Sequence, residues 1–120
     1  MHSKAKPPTL AERQRFAAIY ETGCTPCWLR GIEFQPCTIQ HVVEGRKRLG
    51  HSATYGACEW HHFGHPKGGL TAKQTEDMLG PSLALSKKKY VETFGSEREL
   101  IELCNKMIEP YLQAWRGEYS

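Results

Sequence analysis

Two pairs of metal-affine side chains, each with a two-residue gap, constrain this chain more than any other feature: Cys24-Thr25-Pro26-Cys27 and Cys58-Glu59-Trp60-His61. A tight turn aims both donors of a pair at one point, and two such pairs supply the four ligands of a closed tetrahedral zinc site. A CxxC alone also marks thiol–disulfide sites, but those open a helix that follows a buried strand. Here the pair follows a predicted helix and Gly23, which favours zinc. Zinc would also account for folding across residues 24–66, a stretch cut by Gly31, Pro36, Gly45 and Gly50 and poor in helical periodicity. Cys37 leaves a second set open, Cys24, Cys27, Cys37 and Cys58, which would free His61. The matched spacings favour the set with His61, and Cys37 is then a small buried hydrophobe or a spare thiol near the metal.

One structural zinc does not use His41, His51, His62 and His65. A lone histidine is usually a satisfied core or surface group, but two of these lie beside a metal ligand in the stretch GACEWHHFGHP. They suggest a second, open metal site, where a histidine activates water and an imidazole-bound divalent ion stabilises the leaving oxygen of a phosphodiester. Arg46, Lys47 and Arg48, between His41 and His51, would then hold backbone phosphates. Lys87, Lys88 and Lys89 form a second basic cluster, for which a solvated surface run is an equally good account. The net charge of +3, from 16 Lys+Arg against 13 Asp+Glu, is too mild to require a nucleic-acid partner by itself.

The rest of the chain reads as one small α+β domain over residues 9–120 after a flexible leader at 1–8. With 39% hydrophobic and 10% aromatic residues it is too apolar for a disordered chain. No run approaches the roughly 20 apolar residues of a membrane span, and the N-terminus does not read as a signal peptide, so the expected location is cytoplasmic. Thr9 and Glu12 have capping-box spacing and open a helix over 9–22, with Leu10, Phe16, Ala17, Ile19 and Tyr20 as its apolar side. Residues 33–43 suit a hairpin or irregular strands, and 57–64 a short helix ended by Gly64 and Pro66. Residues 67–82 read mainly as loop with one short turn of helix, followed by a helix from about Pro81 to Phe94. A second capping box, Ser96 to Glu99, opens the last helix, with Leu100, Leu103, Met107 and Tyr111 on one face and a kink or stop at Pro110. Trp28 and Trp60, next to the metal pairs, are expected in the core.

Taken together, CxxC, His41, CxxH and the following His62 resemble the HNH, or ββα-metal, endonucleases. More narrowly, PCTIQHVVEGRKRLGHSATYGACEWHHFG and GPSLALSKKKYVETFGSERELI resemble the phage recombination-enhancement nucleases. The likeness covers roughly residues 23–103. It implies a ββα-metal core at about 23–66 with flanking N- and C-terminal helices, the C-terminal helical part at about 82–116. It implies cleavage of DNA where a RecA filament has paired it, with a structural zinc and a catalytic divalent ion (Mg, Mn or Zn). By position, His41 resembles the general base at the end of the hairpin and His62 the helix ligand of the catalytic ion. The family usually places Asp or His before the base, whereas this chain has Gln40, a neutral and weak ligand. His51 or His65 would then fill the gap, with His51 alternatively a phosphate contact; in the all-thiolate alternative, His61 and His65 would form the open pair. The competing reading is a non-catalytic zinc module that binds DNA or protein.

Overall fold

The computed structural model describes residues 6–117; residues 1–5 of the expected leader and 118–120 lie outside that range. In chain order the elements are α1 (Leu10–Thr22), α2 (Thr25–Leu29), β1 (Thr38–His41), β2 (Val43–Glu44), β3 (Lys47–Arg48), β4 (Thr54–Ala57), α3 (Glu59–Phe63), α4 (Ala72–Leu79), α5 (Lys87–Phe94) and α6 (Glu97–Arg116). The fold class is α+β, as the sequence implied. β1 and β4 pair antiparallel with Thr38 opposite Ala57 and His41 opposite Thr54, and α3 follows β4 after one residue. The small β2–β3 hairpin projects from the connection between the two strands.

Side-chain alternation gives the β1–β4 hairpin two different faces. Ile39, His41, Thr54 and Gly56 turn toward α1, where Arg15 bonds the Thr54 hydroxyl through Nε at 2.9 Å and the Thr54 carbonyl through a second nitrogen. Thr38, Gln40 and Tyr55 turn the other way, toward α3, α5 and the start of α6, where the Tyr55 and Tyr90 hydroxyls meet at 2.7 Å. The main core fills the space between these layers with Ala18, Ile19, Val42, Tyr55, Tyr90, Phe94, Leu100, Cys104 and Ile108. A smaller cluster of Cys24, Cys27, Cys58, Trp60 and Leu79 adjoins it.

The capping boxes at Thr9 and Ser96 form as expected, each with reciprocal side-chain bonds to the first turn. Several apolar faces differ. In α1 the buried residues are Ala18 and Ile19, while Leu10 and Tyr20 are 65% and 53% exposed. In α6 the buried stripe is Leu100, Cys104, Ile108 and Leu112, one residue on from the expected Leu103, Met107 and Tyr111. Both stripes fit a helical period, and packing on α1 and β4 selects between them. Pro110 does not end α6, because it and Lys106 lie on the exposed side, where the carbonyl that loses its partner meets water. Residues 67–82 contain a helix, α4, started by a third capping box of Thr71 and Gln74. The next helix begins at Lys87, with Ser86 as its cap, rather than near Pro81. Trp28 is 54% exposed, since the inward side of short α2 is taken by Thr25, Pro26 and Cys27; Trp60 is buried as expected.

A close backbone approach joins α1 to the hairpin. A Cβ on Gly56 would meet the Gly23 carbonyl oxygen and lie 2.8 Å from the Cys37 sulfur and 3.0 Å from Ile19. Because one obstacle is backbone, it cannot rotate away. Gly56→Ala should therefore destabilise the fold by about 1–3 kcal/mol, read as an earlier midpoint in chemical denaturation with metal present.

Candidate metal centres and active site

Cys24, Cys27, Cys58 and His61 are all buried, and their ligand atoms lie within 4.8 Å of one another. Gly23 ends α1 with positive φ, Cys24 becomes the cap of α2, and Cys27 follows one turn on. Cys58 caps α3 in the same way and brings His61 back one turn later. The CxxC thus does open a short helix, but that helix follows α1 rather than a strand. The His61 Nδ1 stands 3.4, 3.6 and 3.2 Å from the sulfurs of Cys24, Cys27 and Cys58, and Cys27 and Cys58 are 3.9 Å apart. A tetrahedron with zinc bonds of about 2.3 Å to sulfur and 2.0 Å to nitrogen has edges of roughly 3.5–3.8 Å, so the donors fit a single ion.

The imidazole is prepared for that role. His61 Nε2 lies 2.7 Å from the Leu79 carbonyl oxygen, which can only accept, so the proton is on Nε2 and the Nδ1 lone pair faces the sulfurs. Trp60 donates to the Gly80 carbonyl at 2.8 Å, so the end of α4 is clamped to α3 twice. Arg30, just past α2, bonds the carbonyls of Met78 and Asp77 at the same helix end. Among the thiols, burial pushes Cys24 up, whereas Cys58, bonded by Cys24 and Cys27, is held down. Three thiolates this close need a cation to coexist.

Cys37 is outside this group. Its thiol donates to the Ile19 carbonyl at 3.5 Å, and burial, with lesser effects from Cys104 and Cys58, pushes it up to about 12. The structure therefore brings together the set that contains His61.

The other histidines separate into distinct environments. His62 is half-buried, stacked on Phe63 with ring centroids 3.9 Å apart, and its Nδ1 lies 2.6 Å from the Thr38 hydroxyl. Thr38 has one hydroxyl hydrogen, which goes to the Ala57 carbonyl at 3.1 Å. With the Thr38 hydrogen on that carbonyl, His62 donates through Nδ1 and its Nε2 lone pair is available to an ion. Burial lowers the His62 pKa, opposed by the charge of Glu97.

His41 is on the α1 side of the hairpin, edge-on to Phe16, with its Nε2 3.1 Å from His51 Nδ1. His51 Nε2 in turn lies 2.9 Å from the Lys6 carbonyl. The carbonyl fixes the His51 proton on Nε2, so His41 must donate through Nε2 and keep a lone pair on Nδ1. Burial lowers the His41 pKa, helped by Arg48, His51 and His62, so it is neutral at pH 7. His41, His51 and Arg48 line a hollow of about 400 Å³ with Lys6, Pro7, Thr9 and Glu12. His65 is exposed, past the end of α3, and tilts against Phe63.

Arg46 is at the tip of the β2–β3 hairpin, while Lys47 and Arg48 are on β3; all three are exposed. Lys87, Lys88 and Lys89 make the exposed first turn of α5. Sequence reasoning did not anticipate the contacts that Thr38, Tyr55 and Glu97 make with His62 and Gln40 and with one another. Glu97 accepts from Tyr55 at 2.9 Å and from Gln40 at 3.2 Å, a meeting between residues too far apart in the chain to leave a spacing signal.

A family model described as "Recombination enhancement, RecA-dependent nuclease" matches residues 8–109. No match is found among curated proteins.

The two candidate ligand sets predict different outcomes. Cys37→Ser should keep one zinc per chain by metal analysis, while His61→Ala or Cys24→Ser should lose it along with much of the fold.

Proposed function

Because the chain belongs to the family of recombination-enhancement, RecA-dependent nucleases, we propose that it is an HNH-type endonuclease that hydrolyses DNA phosphodiester bonds with a divalent ion. In this reading the DNA is held by a RecA filament, which is supported by the RecA dependence in the family description. A zinc held by Cys24, Cys27, Cys58 and His61 stabilises the fold.

The observation that carries this reading is the chain of hydrogen bonds from His41 through His51 to the Lys6 carbonyl. It holds His41 in the form needed to take a proton from water through Nδ1, inside a hollow that also contains a guanidinium. Arg48 in that hollow offers two parallel donors to a phosphate, and Arg46 and Lys47 extend the basic edge along the duplex. His62, with its free Nε2, is the ligand for the catalytic ion, which when bound supplies Lewis-acid stabilisation of the leaving oxygen. Lys87 to Lys89 are a second set of phosphate contacts; no acidic residue offsets them in the first turn of α5.

The second reading, a non-catalytic module that binds DNA or protein, is favoured by the neutral Gln40 beside His41. Cleavage of DNA bound by RecA, compared with bare single and double strands, separates the two. His41→Ala should lower the rate by roughly 10²- to 10⁴-fold with zinc content unchanged. A His41→Ala protein that cuts every substrate as fast as the parent would instead favour the binding module. Replacing Arg46, Lys47 and Arg48 together with alanine should weaken binding to unrelated sequences alike. The salt dependence should also flatten, by about one unit of slope for each phosphate no longer neutralised. An unchanged slope would remove the hairpin from the interface.

A further inference from the structure

One charge has no role in the chemistry proposed so far. Glu97 is the first residue of α6, where an acid usually serves the helix end, but that end is already capped by Ser96 and Glu99 through reciprocal bonds. Glu97 instead turns its Oε2 inward to the Tyr55 hydroxyl and the Gln40 amide. Burial keeps the phenols of Tyr55 and Tyr90 protonated, so each partner of this carboxylate is a neutral donor. The neighbouring Arg98 is engaged with Glu44 in a two-point ion pair. Neither ion pair among the described residues includes Glu97, whose hydrogen-bond partners are both neutral.

An imidazole with a free lone pair lies on the same side of the hairpin. Thr38 and Gln40 project from one face of β1; Thr38 holds His62 by Nδ1, and Gln40 holds Glu97 by its Nε2. The Gln40 amide, by donating to Glu97, keeps its own oxygen free as a neutral donor. We propose that Glu97 is the anionic ligand of the divalent ion held by His62, supplying from α6 the negative charge that Gln40 does not supply from β1. This assignment rests on the second ion of the proposed nuclease. A carboxylate, an amide oxygen and one imidazole form a hard donor set, which suits Mg²⁺ or Mn²⁺ better than a second zinc.

The test measures ion binding rather than cleavage. Mn²⁺ is titrated into the zinc-loaded full chain and followed by the electron paramagnetic resonance signal of the free ion. Glu97→Gln, which keeps an acceptor for Tyr55, should lower Mn²⁺ affinity at least about 10-fold with zinc content unchanged. Adding Gln40→Glu to that variant should recover affinity by returning the charge to the strand. In the unaltered protein, Mn²⁺ should broaden the nuclear magnetic resonance signals of the Glu97 carboxylate and the His62 ring together, a reading independent of whether any variant folds. Unchanged affinity in Glu97→Gln, broadening of His62 without Glu97, or no Mn²⁺ binding by the parent would each overturn the assignment. Cleavage by the parent that depends on His41 while Glu97→Gln binds Mn²⁺ normally would overturn this inference alone and leave the nuclease reading standing.

Discussion

Three sulfurs and an imidazole nitrogen gathered within 4.8 Å, all buried, form a donor set that could hold one metal ion. Much of the fold around residues 23–83 is arranged about that set. α2 and α3 have five residues each, far below the length at which a helix is stable alone, and each begins at a ligand cysteine. The shared centre makes two marginal turns into one body. α4 is drawn in through the Leu79 and Gly80 carbonyls, and the following segment through the bond from the Leu83 amide to the His61 carbonyl.

That same construction places His62. Its backbone amide bonds the Cys58 carbonyl, so a ligand cysteine starts the turn on which His62 sits, and the neighbouring His61 points to the sulfur cluster. Consecutive side chains on a helix diverge by about 100 degrees, so one short turn can face two environments. The hairpin divides the remaining groups by strand alternation: His41 goes to the α1 side with His51, whereas Gln40 and Thr38 go to the side of Glu97 and His62. Main-chain acceptors lie at the end of both networks: the Lys6 carbonyl bonds the His51 ring directly, and the Ala57 carbonyl lies beside the Thr38 hydroxyl that holds His62.

What the sequence disclosed was the chemistry that depends on short spacing. The CxxC and CxxH pairs, the capping boxes at Thr9 and Ser96, and the short histidine helix are all set by residues within one turn of one another. Contacts between distant segments were not legible. The shift of the α6 stripe to Cys104 and Ile108 depends on where α1 lies, and the exposure of Trp28 depends on which side of α2 the metal cluster occupies. Thr38 and Glu97 escaped notice for the same reason. A threonine on a strand and a glutamate at a helix start each have a sufficient local explanation, and only the folded chain gives them a second partner.

The segment ahead of α1 has a role that its composition hides. Lys6 belongs to a stretch expected to be a loose leader, and it lies outside the residues matched by the family, yet its carbonyl is the fixed end of the histidine relay. A shortened protein that began at residue 8 would keep every histidine and every cysteine of the two centres. It would lose the group that tells His51 which nitrogen must bear hydrogen, and with it the instruction passed to His41. Domain boundaries drawn from sequence similarity would thus cut away a part of the proposed site that has no side chain to be recognised by.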